Sequence, residues 1–182
     1  FSIGGIAYFS ALLAAEMQFG LLNVINLPVW LSVVLALVLF DLAVYGQHLL
    51  LHRWPLLWRL HKIHHTDLDF DVTTAVRFHP VEIIVSLIYK VIIVSLLGAP
   101  VVAVLIFELI LSTSALFNHS NIAIPVRWDR RLRWLLVTPD MHRIHHSIDQ
   151  RETDSNFGFS ISVWDRVFGT YTAEPALGHD DM

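Results

Sequence analysis

The sequence predicts an all-α fold, an integral-membrane bundle of about four transmembrane helices paired as two hairpins, with a helical cap on its cytoplasmic side. Three observations predict it. Of the 182 residues, 55% are apolar and only 15% charged, and the mean hydropathy is +0.58, well above an ordinary soluble domain. The apolar residues gather in four stretches close to the roughly 20 that a helix needs to cross a hydrocarbon core. Eleven of the twelve Lys and Arg residues fall outside those stretches, on the side to which both hairpins return.

The first stretch covers residues 3–22 and the second 29–45, separated by an uncharged Asn/Pro turn over 23–28 in which Pro28 suits a helix start. The third covers 81–97 and the fourth 100–117, joined only by Gly98 and Ala99, which leaves room for a tight turn and nothing more. The chain therefore divides into one membrane-embedded domain with a first hairpin (1–46), a charged segment (47–80), a second hairpin (81–118) and a charged cap (119–182). Arg53, Arg59, Lys62 and Arg77 lie between the hairpins, and Arg127, Arg130, Arg131, Arg133, Arg143, Arg151 and Arg166 follow the second. Positive charge marks the cytoplasmic side of a membrane protein, so both charged segments are expected there. Lys90, alone within a span, either snorkels or pairs with a span carboxylate. Glu108 is such a carboxylate, on a stripe with Ser112, Ala115 and His119 that should face the bundle interior, where it hydrogen-bonds or serves a site. Glu16 is expected to be buried as well.

Composition also excludes functions. The absence of cysteine removes disulfides, thiolate zinc sites, iron–sulfur clusters and cysteine nucleophiles. A formal net charge of −4 gives no electrostatic footprint for nucleic acid. A start at Phe1 rather than Met leads us to expect residues upstream, and no secretory signal pattern is visible.

Eleven histidines in so apolar a chain are the compositional excess. His48 and His52 stand at i and i+4 on an extension of the second span, with Asp41 and Tyr45 preceding them on the same face, where they could orient the imidazoles. After Pro55, a plausible first helical residue, a run ends in His61, His64 and His65, and the same HxxHH pattern returns at His142, His145 and His146. Random placement would give two such patterns about one time in a thousand. On a helix this spacing presents several nitrogen ligands to one point or to two adjacent points. His119 adds a single candidate at the end of the fourth span. Solvated interfacial histidines are the bland reading, but nine close imidazoles repel on protonation unless a metal or carboxylates organise them. Haem asks for one axial His on each facing helix, and a structural zinc site for four ligands; nine candidates suit two metals.

These residues resemble the fatty acid hydroxylase and sterol desaturase superfamily of integral-membrane di-iron oxygenases. The matching text is DLAVYGQHLLLHR from Asp41, WRLHKIHHT from Trp58, RFHPVE from Arg77, NHSN from Asn118, PDMHRIHHS from Pro139 and WDRVFGTY from Trp164. The closing motifs look most like the alkylglycerol monooxygenase and bacterial sterol desaturase-like branches. The resemblance implies a metal and catalytic set of His48, His52, His61, His64, His65, His119, His142, His145 and His146. His79 is either a tenth ligand or a helix-start residue beside Pro80. Also implied are two iron ions, with zinc a possible occupant after purification, and dioxygen as co-substrate. The activity implied is hydroxylation, or second to it desaturation, of an alkyl C–H of a lipid or sterol-like substrate whose tail enters between the spans.

Electrons must come from a separate donor of cytochrome b5, ferredoxin or reductase type, since the chain has no Gly-x-Gly-x-x-Gly fingerprint and no cysteine cluster. The stretch 127–133 with Trp128 and Trp134 reads as a basic, aromatic interfacial helix for anionic headgroups or an acidic donor. Asp140, Asp149, Asn156 and Asp165 are candidates for orienting ligands, or else caps and turn residues. The alternative function is a histidine-rich membrane metal transporter or metal-sensing protein. Transport would place ligands within several spans, whereas here they collect at one end.

Overall fold

The computed structural model describes residues 3–25, 27–67, 70–176 and 178. Asn26 of the expected 23–28 turn, and residues 68–69, 177 and 179–182 of the charged segments, lie outside the described residues. Ten α-helices are found among the described residues and no strand: α1 (Ile3–Glu16), α2 (Leu21–Val24), α3 (Val29–Arg53), α4 (Pro55–His61), α5 (Pro80–Leu97), α6 (Val101–Asn118), α7 (Val126–Leu132), α8 (Pro139–His145), α9 (Gln150–Thr153) and α10 (Val163–Val167). A lone antiparallel bridge joins Leu136 and Ile161. Four segments are long and apolar enough to cross a membrane: Gly5–Val24, Val29–Arg53, Pro80–Leu97 and Val101–Asn118. The chain forms two compact units, one of Phe1–Ala43 with Pro80–Ile110 and one of Val44–His79 with Leu111–Met182.

The first unit holds α1, α2, α5 and the N-terminal parts of α3 and α6. They leave large side chains such as Phe9, Leu13, Ile84, Ile88, Leu105 and Leu109 on the outside, the arrangement expected where lipid rather than water is the solvent. Small residues take the inside. Ala7, Ala11 and Ala14 are buried along one stripe of α1, which packs on α5, because small side chains let backbones approach closely without a hydrophobic drive. Phe40 and Phe107 fill part of the remaining core at 5.2 Å between ring centroids. Lys90 Nζ donates to Glu108 Oε1 at 2.6 Å, so Lys90 pairs with a span carboxylate. Glu16, in contrast to expectation, is exposed at the end of α1.

The first span is not one helix. It stops at Glu16, and Gln18 (φ 51°) and Gly20 (φ 99°) turn the chain through left-handed backbone before α2. The cause is a close approach of two turns: a Cβ on Gly20 would lie 2.2 Å from Gly98 N, and Gly98 itself has φ 58°. Asn23 pins the turn by donating to Ala14 O at 3.2 Å and Phe19 O at 2.7 Å. The second span departs in the other direction. Nothing in the sequence stops α3 at Tyr45, and it runs on to Arg53, about 38 Å of helix against a hydrocarbon thickness of about 30 Å.

The second unit carries all nine candidate histidines. Its helices are short and individually specified. Pro55 and Pro139 sit in the first turns of α4 and α8, and Thr138 Oγ1 accepts from Met141 N at 3.3 Å to cap α8. The first HxxHH motif does not lie on one continuous helix: α4 ends at His61, and His64 and His65 belong to a following 3₁₀ turn, His64–Thr66. The tighter winding changes which ring faces where.

Replacing Lys90 by Met strands the Glu108 carboxylate among the spans, and the K90M protein should lose about 3 kcal/mol of stability, whereas K90M/E108L should recover most of it. Thermal unfolding in detergent of the wild type, both singles and the double variant checks this; additive losses would contradict the pairing.

Candidate metal centre

Within the second unit the nine histidines converge into two groups. His48, His52, His61, His65 and His145 form one, and His64, His119, His142 and His146 the other, with the ligand-capable atoms of each group within 4.8 Å of one another. Helical spacing explains the sorting. Two pairs four residues apart, His48/His52 on α3 and His142/His146 on α8 and its C-cap, stay together because i and i+4 lie one above the other on a helical surface, and His61 and His65 stay together although a 3₁₀ turn separates them. The middle residue of each HxxHH triplet points off that line and joins the opposite group, so His64 leaves His61 and His65, and His145 leaves His142 and His146. The two groups adjoin, with the His65 and His146 rings stacked at 4.3 Å between centroids.

Backbone carbonyls fix how the rings face. His48 Nδ1 lies 3.0 Å from Phe157 O, His64 Nδ1 3.2 Å from Arg77 O, His119 Nδ1 2.8 Å from Ala115 O and His145 Nδ1 2.7 Å from Ser155 O. A carbonyl only accepts, so each Nδ1 carries the proton and each Nε2 keeps a lone pair. Yet His119 Nε2 lies 3.1 Å from both His64 Nε2 and His142 Nε2. Lone pairs of His64 and His119 facing at that distance repel unless a cation lies between them. Two nitrogens each about 2.1 Å from one ion and at right angles to one another stand about 3 Å apart. The donor set therefore fits a metal ion. His145 Nε2, His146 Nε2 and both ring nitrogens of His65 are buried without a hydrogen-bond partner among the described residues, so each of these rings has a nitrogen free to ligate.

Burial sets the charge state. It holds His64, His65, His142, His145 and His146 well below the usual imidazole range, with neighbouring imidazoles acting in the same direction. His119 falls to about 4, again chiefly through burial. These rings are neutral at pH 7, the form in which imidazole binds metal.

Four aromatic residues that sequence reasoning did not single out wall the site. Trp58 packs on His52 at 4.8 Å, Phe78 stacks on His64 at 4.8 Å, Phe70 lies 5.3 Å from His119 and 4.8 Å from His146, and Phe157 lies 5.2 Å from His52. No spacing rule marks them, since their neighbours are distant in sequence. Asp154 was missed likewise; its Oδ1 lies 3.6 Å from His52 Nδ1, too far for a hydrogen bond. His79 stands outside both groups.

The other candidates have separate duties. Tyr45 Oη pairs with Thr170 Oγ1 at 2.9 Å rather than with an imidazole. Asp140 pairs with Arg143, and Asp149 caps α9 by accepting from Arg151 N. Asn156, left-handed at φ 52°, donates to Met141 O and Thr172 O and accepts from Thr172 N. Asp165 is fully buried and accepts from the amides of Phe157 and Gly158 and from Thr170 Oγ1. Burial pushes its carboxyl up to about 6 while those donors pull it down, which leaves it ionised at neutral pH. In the basic stretch, Arg133 is buried in an ion pair with Asp129 and does not join the exposed face that Trp128 shares with Arg127 and Arg131.

The model of the fatty acid hydroxylase family matches residues 33–170. The ornithine lipid hydroxylase OlsE of Rhizobium tropici is 31% identical over 85% of this chain and 46% of its own length. The alkylglycerol monooxygenase of Xenopus tropicalis is 28% identical over 74% and 29%, and the cholesterol 25-hydroxylase of Rattus norvegicus 27% identical over 79% and 47%. The chain thus spans less than half the length of these relatives. No solved structure matches significantly. With a family match that takes in all nine clustered histidines and the closing WDRVFGT text, the chain belongs to the fatty acid hydroxylase family.

Proposed function

We propose that this chain carries the di-iron centre of an oxygen-dependent membrane hydroxylase that acts on an alkyl C–H of a lipid or sterol-like substrate. The observation that carries the reading is the pair of adjoining buried imidazole groups, five and four, within which the Nε2 lone pairs of His64 and His119 face one another. One ion would be held by His48, His52, His61, His65 and His145, the other by His64, His119, His142 and His146. Bound there, iron would supply what no side chain provides, activation of dioxygen to an oxidant strong enough for an unactivated C–H.

The protein's own part is positioning and exclusion. Backbone carbonyls of Phe157, Arg77, Ala115 and Ser155 hold four rings in the ligating tautomer. Trp58, Phe70, Phe78 and Phe157 keep water from the rings, and an apolar wall of this kind also suits a hydrocarbon substrate. The all-imidazole set, without the carboxylates of soluble di-iron bundles, leaves the metal pair more positively charged. Hydroxylation is favoured over desaturation because the named relatives are hydroxylases and a monooxygenase. Their names, an ornithine lipid, an alkylglycerol and cholesterol, share an alkyl-rich lipid as substrate class. Electrons would come from a separate cytochrome b5-, ferredoxin- or reductase-type donor, and the excess of Arg and Lys beside the histidines supports a cytoplasmic site. Nothing in the family match favours metal transport.

Protein purified from iron-supplemented cells should contain about two metal ions per chain by elemental analysis, in part zinc, which imidazole also accepts. H64A and H145A should each fall to about one ion, and lipid mass spectrometry of expressing cells should show the oxidised product reduced by about 100-fold or more. A metal-free wild type, or variants with full metal and full product, would defeat the reading.

Acid should destabilise the metal-free protein. The folded state resists protonating His119 down to about 4, whereas the unfolded chain takes the proton near 6.5. The unfolded state therefore holds more protons between those values, and stability falls as pH drops through that window. The melting temperature of chelator-treated protein should decrease steadily from pH 7 to pH 5; a melting temperature that stays level over that range would contradict the neutral, buried His119.

A further inference from the structure

The five-histidine group has a built support that the four-histidine group lacks. Three of its members face one short strap of backbone, residues 154–158. Asp154 Oδ1 lies 3.6 Å from His52 Nδ1, Ser155 O accepts from His145 Nδ1 at 2.7 Å, and Phe157 O accepts from His48 Nδ1 at 3.0 Å. The four-histidine group takes its carbonyls elsewhere, from Arg77 and Ala115. Asp165 holds the Phe157–Gly158 end of the strap. Its Oδ1 accepts from Phe157 N at 2.7 Å and from Thr170 Oγ1 at 2.7 Å, and its Oδ2 accepts from Gly158 N at 2.8 Å.

The Phe157 carbonyl and the Gly158 N–H belong to the same peptide unit. His48 donates to one end of that unit and Asp165 accepts from the other, so the order is imidazole, peptide, carboxylate. A carboxylate bonded to a metal-ligating histidine fixes its orientation and raises its basicity. Hydrogen bonds in series polarise one another in a low-dielectric interior, so a carboxylate one peptide away acts in the same sense. Resting on the metal-site reading above, we infer that Asp165 is a positioning residue for the five-histidine centre alone, acting on His48 through the Phe157–Gly158 peptide.

The sequence carries a second sign of this arrangement. A Cβ on Gly158 would stand 2.6 Å from Asp165 Oδ2 and 2.9 Å from Ile161 O. Only glycine at 158 lets the carboxylate reach the amide. Gly158→Ala should therefore displace the same hydrogen bond without altering any charge. Asp165→Asn keeps the size but turns one acceptor into a donor, leaving one of the two amides unpaired.

Cobalt(II) titration of the metal-free protein in detergent, followed by absorbance and by elemental analysis, separates the centres. H64A/H119A isolates the five-histidine centre and H48A/H52A/H61A the four-histidine centre. D165N in the H64A/H119A background should weaken cobalt binding by about 10- to 100-fold and shift the ligand-field bands. D165N in the H48A/H52A/H61A background should leave affinity and bands unchanged. G158A should repeat this selectivity, and it stands in for D165N should that variant not fold. Equal weakening of both centres, or no weakening of either, would overturn the proposal by making Asp165 a general structural residue or an idle one. Failure of wild-type protein to bind cobalt at all would instead sink the metal-site reading on which it rests.

Discussion

Four carbonyl oxygens determine what the rest of this structure can do. By accepting from Nδ1 of His48, His64, His119 and His145 they hold the imidazole protons on the outer nitrogens and leave the inner nitrogens as lone pairs. Without that constraint nine packed imidazoles would hydrogen-bond to one another in chains and satisfy themselves. With it, nitrogens that would otherwise share protons face each other bare in a buried space. Such an arrangement is unfavourable by itself and would become favourable with a cation in it, so metal binding there would be coupled to folding of the second unit.

The supports are distributed along the chain in a way that keeps the two groups distinct. The carbonyl serving His64 comes from the segment before α5, the one serving His119 from its own helix, and those serving His48 and His145 from the strap at 154–158. The strap is itself held from behind by Asn156, whose side chain clamps Met141 O and both polar groups of Thr172, and by Asp165. A left-handed Asn156 and a crowded Gly158 are the local features that let so short a stretch turn several of its polar groups to different partners. The segment after α8, polar and apparently ordinary in composition, is therefore half of the site rather than a tail.

The membrane part follows a different economy. Its outer faces carry large aliphatic side chains and its inner faces alanines, with the Gly20 and Gly98 turns pressed together and the Lys90–Glu108 pair neutralising its own charge. None of these features is chemical. They fix helices in lipid, and α3 and α6 then continue past their apolar stretches to deliver His48, His52 and Asn118 with His119 at the ends of rigid elements. A ligand on a helix end is held more closely than one on a free loop.

Much of this was legible in the chain itself. Hydropathy and length identified four spans, because crossing lipid demands a fixed number of apolar residues whatever the partners are. The HxxxH and HxxHH spacings identified the nine histidines, because helical geometry places i and i+4 on one line wherever a helix forms. Tertiary structure decided what depends on partners far away in sequence. It broke the first span at Gly20, which must meet Gly98, and it wound His64 and His65 into a 3₁₀ turn. It sent the middle histidine of each triplet to the opposite group and set Trp58, Phe70, Phe78 and Phe157 around them. It gave Asp165 a role through a peptide rather than through contact. Local spacing is a property of one helix and can be read from one stretch of residues; which rings share a centre is a property of packing, and packing exists only once the chain has closed on itself.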